Sequence, residues 1–457
     1  EHLNHLIDQM KKNGVVKIFY KHLSPNDNSK NQIYLGSTYD LLQMFPMGEV
    51  YTDSSSKDSK RDRFKADLNF YWLDIDGRIY LAPNTQLIMY PKYPEVRLSG
   101  FLFKAEKKPS LYMTSRIQNR VIILGITEDG KIISHVIGPN NNIHNQLIKY
   151  QKGNIQKGNI QKGNKQKGNK RVILNTILNT SSLDATKKEL LKKLLEIHKM
   201  GWIPAQKLNV NNGLQPYAGQ NAGGYTLEAL FGITANGENK PDYKGWELKQ
   251  HATHLDKPLK GGAITLMTPE PTGGVYKDDG IVLFMKKFGY PDKSGKPDRL
   301  NFGGVHKYNQ KYFGTGLTLK LEGYDFSKKK INDVNGGIIL TNDKGDIALK
   351  WNYSKLIERW QKKHAQTVYV PSQKKIQIKQ FYRYGHIVAL CEGTNFNKFL
   401  HSFINESVFY DPGISLKNIS SSKPKSKKRS QLRTKPNDIP LLYNKCEEVN
   451  LLKLNIK

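Results

Sequence analysis

From Tyr150 the chain reads YQKGNIQKGNIQKGNKQKGNKR, a unit QKGN(I/K) repeated every five residues. No other segment limits the possible architectures as strongly. A period of five is far shorter than the 20 or more residues of a stacked structural repeat. Gly, Asn, Gln and Lys dominate it, so it has nothing to bury and reads as a flexible, charge-extended linker. A spacer with expanded repeats is favoured over a basic tether that brushes phosphates. Whatever packs must lie on either side, which divides the chain into residues 1–147, a linker 148–172, and residues 173–457.

The 457 residues carry 72 Lys and Arg against 40 Asp and Glu, a net charge of +32. Self-repulsion on that scale implies a polyanionic partner, nucleic acid or an anionic membrane. The 37% apolar content fits a globular protein, and no apolar run reaches the ~20 residues of a membrane span. The start, EHLNHLIDQMKKNG, lacks the apolar core and cleavage site of a signal peptide and has no initiator Met, so it reads as trimmed. Cys391 and Cys446 are the only cysteines. Two thiols make neither a disulfide framework nor a four-cysteine zinc site, and Cys391 reads as plain core in an apolar strand. The expected compartment is a reducing bacterial cytoplasm.

The first part is rich in strand patterns: VVKIFY (15–20), LNFYWLDIDGRIYLAP (68–83) and RVIILGITEDGKIISHVIG (120–138). Asp76-Gly77 and Asp129-Gly130 sit between such runs, as in tight hairpins. The expectation is a mostly-β pseudobarrel domain. The second part mixes patterns. LDATKKELLKKLLEIHKMGWI (183–203) has Leu190, Leu191, Leu194, Leu195 and His198 on one helical face, with Thr186 and Glu189 as a capping box. Helical SKLIERWQKKHAQ and TNFNKFLHSFI flank strand-like TVYVPS and KIQIKQFYRYGHIVALCEG. This predicts an α/β (α+β) domain, with SKPKSKKRSQLRTK (422–435) as a loop or arm.

Chemistry concentrates in 223–251. YTLEALFG reads as a short helix with Thr226 as N-cap and Gly232 as its end. GWELKQH reads as a strand, so Glu247 and Lys249 share a face while Trp246, Leu248 and Gln250 pack behind. Phosphodiester hydrolysis needs a divalent cation, an activated water and a stabilised leaving oxygen. Mg²⁺ takes one or two carboxylates plus water and phosphate, and Asp242 and Glu247 can supply them. Lys249 can orient or help deprotonate the water, and Glu228 can join from the preceding helix. The spacing D-x₄-E-x-K alone more often marks a solvated strand. His251 and His254 do not converge on a metal, and His251 is assigned a DNA or structural role. TPEP (268–271) reads as a rigid loop near the site, with Glu270 set below the others as a metal ligand.

Three blocks in order, GGYTLEALFGI, PDYKGWELKQH and ITLMTPEPTGG (264–274), closely resemble the catalytic region of the MvaI/BcnI restriction endonucleases, which have the PD-(D/E)xK fold and are related to the MutH nickase. The resemblance covers roughly 184–450 and is densest at 223–274. It implies a site of Glu228, Asp242, Glu247 and Lys249, with Asp242 and Glu247 as Mg²⁺ ligands. It also implies type II cleavage of double-stranded DNA to 5′-phosphates at a short C/G-rich pseudopalindrome, CCWGG first. The family is often monomeric, and a cognate methyltransferase is expected in the host without being a physical partner. Base readers lie in the family's C-terminal part, which points to Arg383, His386, Arg429 and Arg433. The first part resembles, in architecture only, the pseudobarrel of EcoRII-like enzymes. Its best arms are SKDSKRDRF (56–64) and YPEVRLSGF (93–101), through Lys60, Arg61, Arg63 and Arg97. That implies type IIE behaviour, with a second, effector copy of the target bound there. The alternatives are a MutH-like nicking enzyme and a DNA-binding protein with a vestigial site.

Overall fold

The computed structural model describes residues 2–25, 32–36, 39–53, 62–91, 95–107, 109, 111–113, 115–147, 174–179, 183–211, 213–234 and 241–454. The QKGN repeats lie outside these residues. The chain divides into two units, Glu1–Ala185 and Thr186–Lys457. Among the described residues no helix is long and apolar enough to cross a membrane.

The first unit is mostly β. One six-stranded sheet runs in the order 175–179, 15–23, 120–127, 132–137, 70–73, 79–81, and a five-stranded sheet in the order 32–36, 95–99, 86–90, 63–68, 47–53. The predicted hairpins close where Gly77 and Gly130 adopt positive φ. The strand Arg120–Thr127 is buried at every position, which explains its unbroken apolar run. Two features depart from expectation. The amino-terminal stretch forms a helix, Leu3–Lys12, burying Leu3, Leu6 and Met10. The strand Asn175–Asn179 pairs with Val15–Leu23, so residues after the repeats return to the first unit and the division falls at Ala185, not at 172.

Arg120 is fully buried. It donates to three carbonyls, of Ile117 at 2.7 Å, Tyr112 at 2.6 Å and Ser24 at 2.9 Å. Peptide dipoles thus solvate a buried cation and tie the stretch before its strand to the end of the strand Val15–Leu23.

The second unit is mixed α/β. Its main sheet runs 203–204, 380–384, 366–376, 387–392, 445–450, and Glu247–Ala252 pairs in parallel with Gln366–Ile376 on that strand's other edge. The helices Leu183–Lys199 and Ala222–Leu230 cover one face through Leu190, Leu194, Ala222 and Leu227, against Trp246, Leu248, Val368, Val370, Tyr382 and Tyr384. The helix starts at Leu183, so Thr186 lies within it and no capping box with Glu189 forms. Segment 422–435 is not a free arm. Lys425–Lys427 and Leu432–Thr434 are strands, paired respectively with 415–417 and with 264–267 and 408–410. Cys391 is buried as expected but is not a free thiol. Antiparallel register sets it opposite Cys446, with Cα atoms 4.0 Å apart, and the two sulfurs are bonded.

Replacing Arg120 by Met removes a donor from three carbonyls, each bond worth about 1–3 kcal/mol. We expect the chemical-denaturation midpoint of the full chain's first transition to fall by the equivalent of about 3–5 kcal/mol. A change below about 1 kcal/mol would show the carbonyls are satisfied another way.

Candidate active site

A two-residue turn brings Asp242 to Glu247. Tyr243 and Trp246 exchange backbone hydrogen bonds, N–H to C=O at 2.9 and 2.8 Å. Between them, Lys244 and Gly245 have φ of 45° and 90°, the left-handed values at both central positions that a type I′ turn demands. The D-x₄-E spacing is the footprint of this turn. Asp242 Oδ2 accepts from the Leu248 N–H at 2.9 Å, which fixes the carboxylate over the start of the strand.

That strand, Glu247–Ala252, alternates as expected. Trp246 and Leu248 are core, while Lys249 Nζ lies 2.9 Å from Glu247 Oε1. Glu247 is 1% exposed. Lys363, the last residue of the helix Tyr353–Lys363, places a second ammonium 3.4 Å from the same oxygen. Sequence reasoning missed Lys363, because nothing in the spacing links it to a strand 116 residues earlier. Glu247 Oε2 is buried and accepts no hydrogen bond.

Glu228 arrives on the helix Ala222–Leu230, which packs on the strand because Gly223 lacks a side chain. A Cβ there would sit 2.6 Å from Gln250 Oε1 and 2.9 Å from the Tyr382 ring. The Tyr384 hydroxyl donates to Gly223 C=O at 2.7 Å. Thr226 is not the N-cap. Asn221 holds that place, and Thr226 is buried mid-helix, its hydroxyl donating to Ala222 C=O and accepting from the Gln206 N–H. Gly232, at φ 75°, follows the helix end as expected.

The electrostatics follow from crowding. Burial, then the charges of Asp242 and Glu247, pushes the Glu228 carboxyl up to about 7. Burial, then Glu247, pushes Asp242 up to about 6. Burial also opposes ionisation of Glu247, but Lys249 and Lys363 outweigh it and hold that carboxyl below its usual value. Lys249 is likewise opposed by burial and held protonated by Glu247, Asp242 and Glu228. Its setting suits a fixed cation better than a base. Behind the site His364, fully buried, is pushed down to about 3 by burial and then by Lys249. Tyr443 contacts Tyr369 and Thr367 through its hydroxyl, at 3.1 and 2.9 Å.

The donor set fits a divalent cation. A buried carboxylate oxygen lacks a partner, and burial, then neighbouring negative charge, disfavours ionisation of two further carboxyls. Among the described residues no group of three or more His, Cys, Asp or Glu side chains is arranged to hold a metal ion by itself.

The other expected residues scatter. Lys60 and Arg61 lie outside the described residues. Arg63 and Arg97 are not on free arms. They lie on strands and are ion-paired with Asp53 at 2.7 Å and Glu95 at 2.8 Å, with Tyr90 between them. His251 is 8% exposed, and burial lowers it to about 4 against the opposing pull of the backbone at Lys260 and Pro258. It follows Lys249 on the same strand face. His254 is exposed. Glu270 accepts from the Tyr276 hydroxyl at 3.0 Å and is not among the charges acting on Glu228, Asp242 or Glu247. The TPEP loop is pinned, since Thr268 and Pro269 carbonyls accept from Arg359 and Trp351. Arg383 is bound to Gln373, and the His386 ring lies 5.3 Å from that of His198. Arg429 is exposed, and Arg433 is held by Asp411 and the Ala263 carbonyl.

These pKa directions fix a pH dependence of stability. Glu228 and Asp242 bind protons more tightly folded than unfolded, so stability is greatest below about pH 4 in this respect and is lost as pH rises through 6 to 7. We expect Glu228→Gln to raise the denaturation midpoint in metal-free buffer at pH 8 and to leave it unchanged at pH 4. An equal shift at both pH values would show the effect is not electrostatic. Gly245→Ala should destabilise by about 1–2 kcal/mol, the left-handed cost for an L-residue, in the same assay.

The MvaI/BcnI restriction endonuclease family model matches residues 191–443, more than half of the chain. Among solved structures, the chain is similar to the restriction endonuclease MvaI in complex with cognate DNA. Identity is 16%, coverage is 57% of this chain and 96% of that one, and the TM-score is 0.43. MvaI without DNA gives 14% identity, 59% and 99% coverage and a TM-score of 0.32. No curated protein sequence matches the chain. The matched span holds all four residues of the crowded site and the lysine that the fold adds to them, and the chain belongs to the MvaI/BcnI restriction endonuclease family.

Proposed function

We propose that this protein is a Mg²⁺-dependent type II restriction endonuclease that hydrolyses double-stranded DNA to 5′-phosphate and 3′-hydroxyl ends. The observation that carries the reading is Glu247. It is a buried carboxylate with one oxygen between two lysines and the other unpartnered, set beside an Asp242 whose own ionisation is disfavoured. Asp242 and Glu247 would hold the ion, which supplies charge neutralisation on the phosphate and lowers the cost of deprotonating water. The chain's own groups do the rest. The type I′ turn and the Leu248 N–H fix Asp242. Lys249, held protonated, faces the scissile phosphate as a cation, offsets its growing charge and orients the nucleophile. Glu228 shares protons with the site near neutrality.

The target is proposed as a short C/G-rich pseudopalindrome, CCWGG first, cut by a monomer one strand at a time. The first unit is proposed to bind an effector copy of the site, making the enzyme type IIE. The mostly-β fold supports this reading, and Lys60 and Arg61 are proposed to contact that copy. DNA contacts are assigned to Arg383, His386 and Arg429. A nicking enzyme of the MutH kind is the competing reading.

Asp242→Ala or Lys249→Ala should lower plasmid cleavage with Mg²⁺ by about a thousandfold or more and leave binding with Ca²⁺ intact. Full cutting by either variant would sink the assignment. Purified wild-type protein should give discrete fragments by way of a nicked intermediate, whereas nicks that never become linear favour the nickase. At limiting Mg²⁺ the rate should rise with pH through 6 to 7 as Asp242 and Glu228 ionise. Excess Mg²⁺ should move that midpoint downward, because metal and protons compete for the carboxylates; a midpoint insensitive to Mg²⁺ rules out these ligands. Short target oligonucleotides added in trans should stimulate cutting of a single-site plasmid, and an unaltered rate removes the effector role.

A further inference from the structure

The catalytic sheet face does not end at Lys249. Glu247, Lys249 and His251 alternate on one side of their strand, and parallel register sets Lys249 beside Tyr369. Tyr369, Pro371, Gln373 and Lys375 therefore continue that same face along the strand Gln366–Ile376. On the antiparallel neighbour, Tyr382 and Tyr384 point into the opposite, core-side cluster. Arg383 thus joins the catalytic face, directly opposite Gln373. From the level of Lys249 to Gln373 and Lys375 is about 13 to 20 Å along the strand, within one ~34 Å turn of B-DNA.

These side chains are already organised. Gln373 Oε1 accepts from Arg383 Nε at 3.0 Å and Nη2 at 2.5 Å. The guanidinium carbon sits 4.9 Å from the Trp202 ring centroid and Lys375 Nζ 5.9 Å from it. Trp202 is itself 38% exposed. No Asp or Glu occurs between residues 366 and 386, and among the described residues no carboxylate pairs with Arg383 or Lys375. Elsewhere in the chain cations commonly have a partner, as Lys187 has two. A guanidinium fixed by an amide on one edge and a ring on its face has lost its rotamer freedom before anything binds, and it matches a tetrahedral oxyanion.

We propose that Trp202, Gln373, Lys375 and Arg383 form a backbone clamp, holding phosphates of the duplex within one turn of the scissile bond. Arg383 and Lys375 contact phosphate, and Trp202 and Gln373 position them. This rests on the nuclease reading for its place relative to the cut, but it makes Arg383 a phosphate contact and not a reader of bases.

The test is duplex binding by the full chain in Ca²⁺ as a function of salt, on a CCAGG duplex and a scrambled one. The double variant Arg383→Gln/Lys375→Gln should weaken both duplexes by the same factor. It should also reduce the slope of log K against log salt by about two, near 0.9 per phosphate lost. The charge-conserving pair Arg383→Lys/Lys375→Arg should keep most of that slope, which separates lost contacts from lost fold. Trp202→Ala should weaken both duplexes equally while keeping the slope within about one of wild type. An unchanged slope in the Gln variant overturns the clamp, and so does a loss confined to the CCAGG duplex, which would mean base reading. If the nuclease reading alone is wrong, wild type shows no cleavage with Mg²⁺ while the slope change persists.

Discussion

The second unit is arranged around one buried negative charge. Glu247 is taken out of water, and an uncompensated carboxylate in that position costs several kcal/mol. Two cations answer it from different elements. Lys249 comes two residues along the same strand face, and Lys363 comes from the last turn of a helix, where the macrodipole favours a positive charge. Both reach one oxygen. The parallel pairing of Glu247–Ala252 with Gln366–Ile376 makes this convergence possible, because it seats the site strand against the wall of Thr367, Tyr369 and Tyr443. The other oxygen, Asp242 and Glu228 carry the remaining electrostatic tension. Perturbed carboxyls of this kind cluster at functional sites.

Much of this was legible in the chain. Strand alternation placed Glu247 and Lys249 on one side, and the family blocks supplied Glu228 and Asp242. The turn that joins the two acids was written in Lys244-Gly245. Other features were not legible for physical reasons. Lys363 reaches Glu247 only through tertiary packing. Thr226 looked like a cap because hydroxyl residues favour helix starts, yet its hydroxyl serves the helix interior and a neighbouring hairpin. The lysine-rich 422–435 looked like an arm because charge hides strand pairing. Its edge strand Lys425–Lys427 is wholly exposed, and such edges are commonly charged to deter further pairing. Cys391 and Cys446 could not be joined from sequence, since their meeting depends on the register of two distant strands.

Charge is handled differently in the two units. In the first, Arg63, Arg97 and Arg120 are committed to Asp53, Glu95 and backbone carbonyls, so they fix strands and loops. In the second, part of the excess is left uncompensated on the face that also bears the crowded acids. Net charge alone announced a polyanionic partner. Only the pairing of individual cations distinguishes those that hold the protein together from those available to a ligand.

The strand Asn175–Asn179 changes what the pentapeptide repeats can do. Leu147 before them and Ile177 after them are buried in the same core cluster of the first unit. Both flanks of the repeats therefore belong to the first unit. The closure cost of a loop grows only with the logarithm of its length, about 0.6 kcal/mol per doubling. On that scale, doubling the stretch of sequence between Leu147 and Asn175 would cost the first unit only a fraction of a kcal/mol.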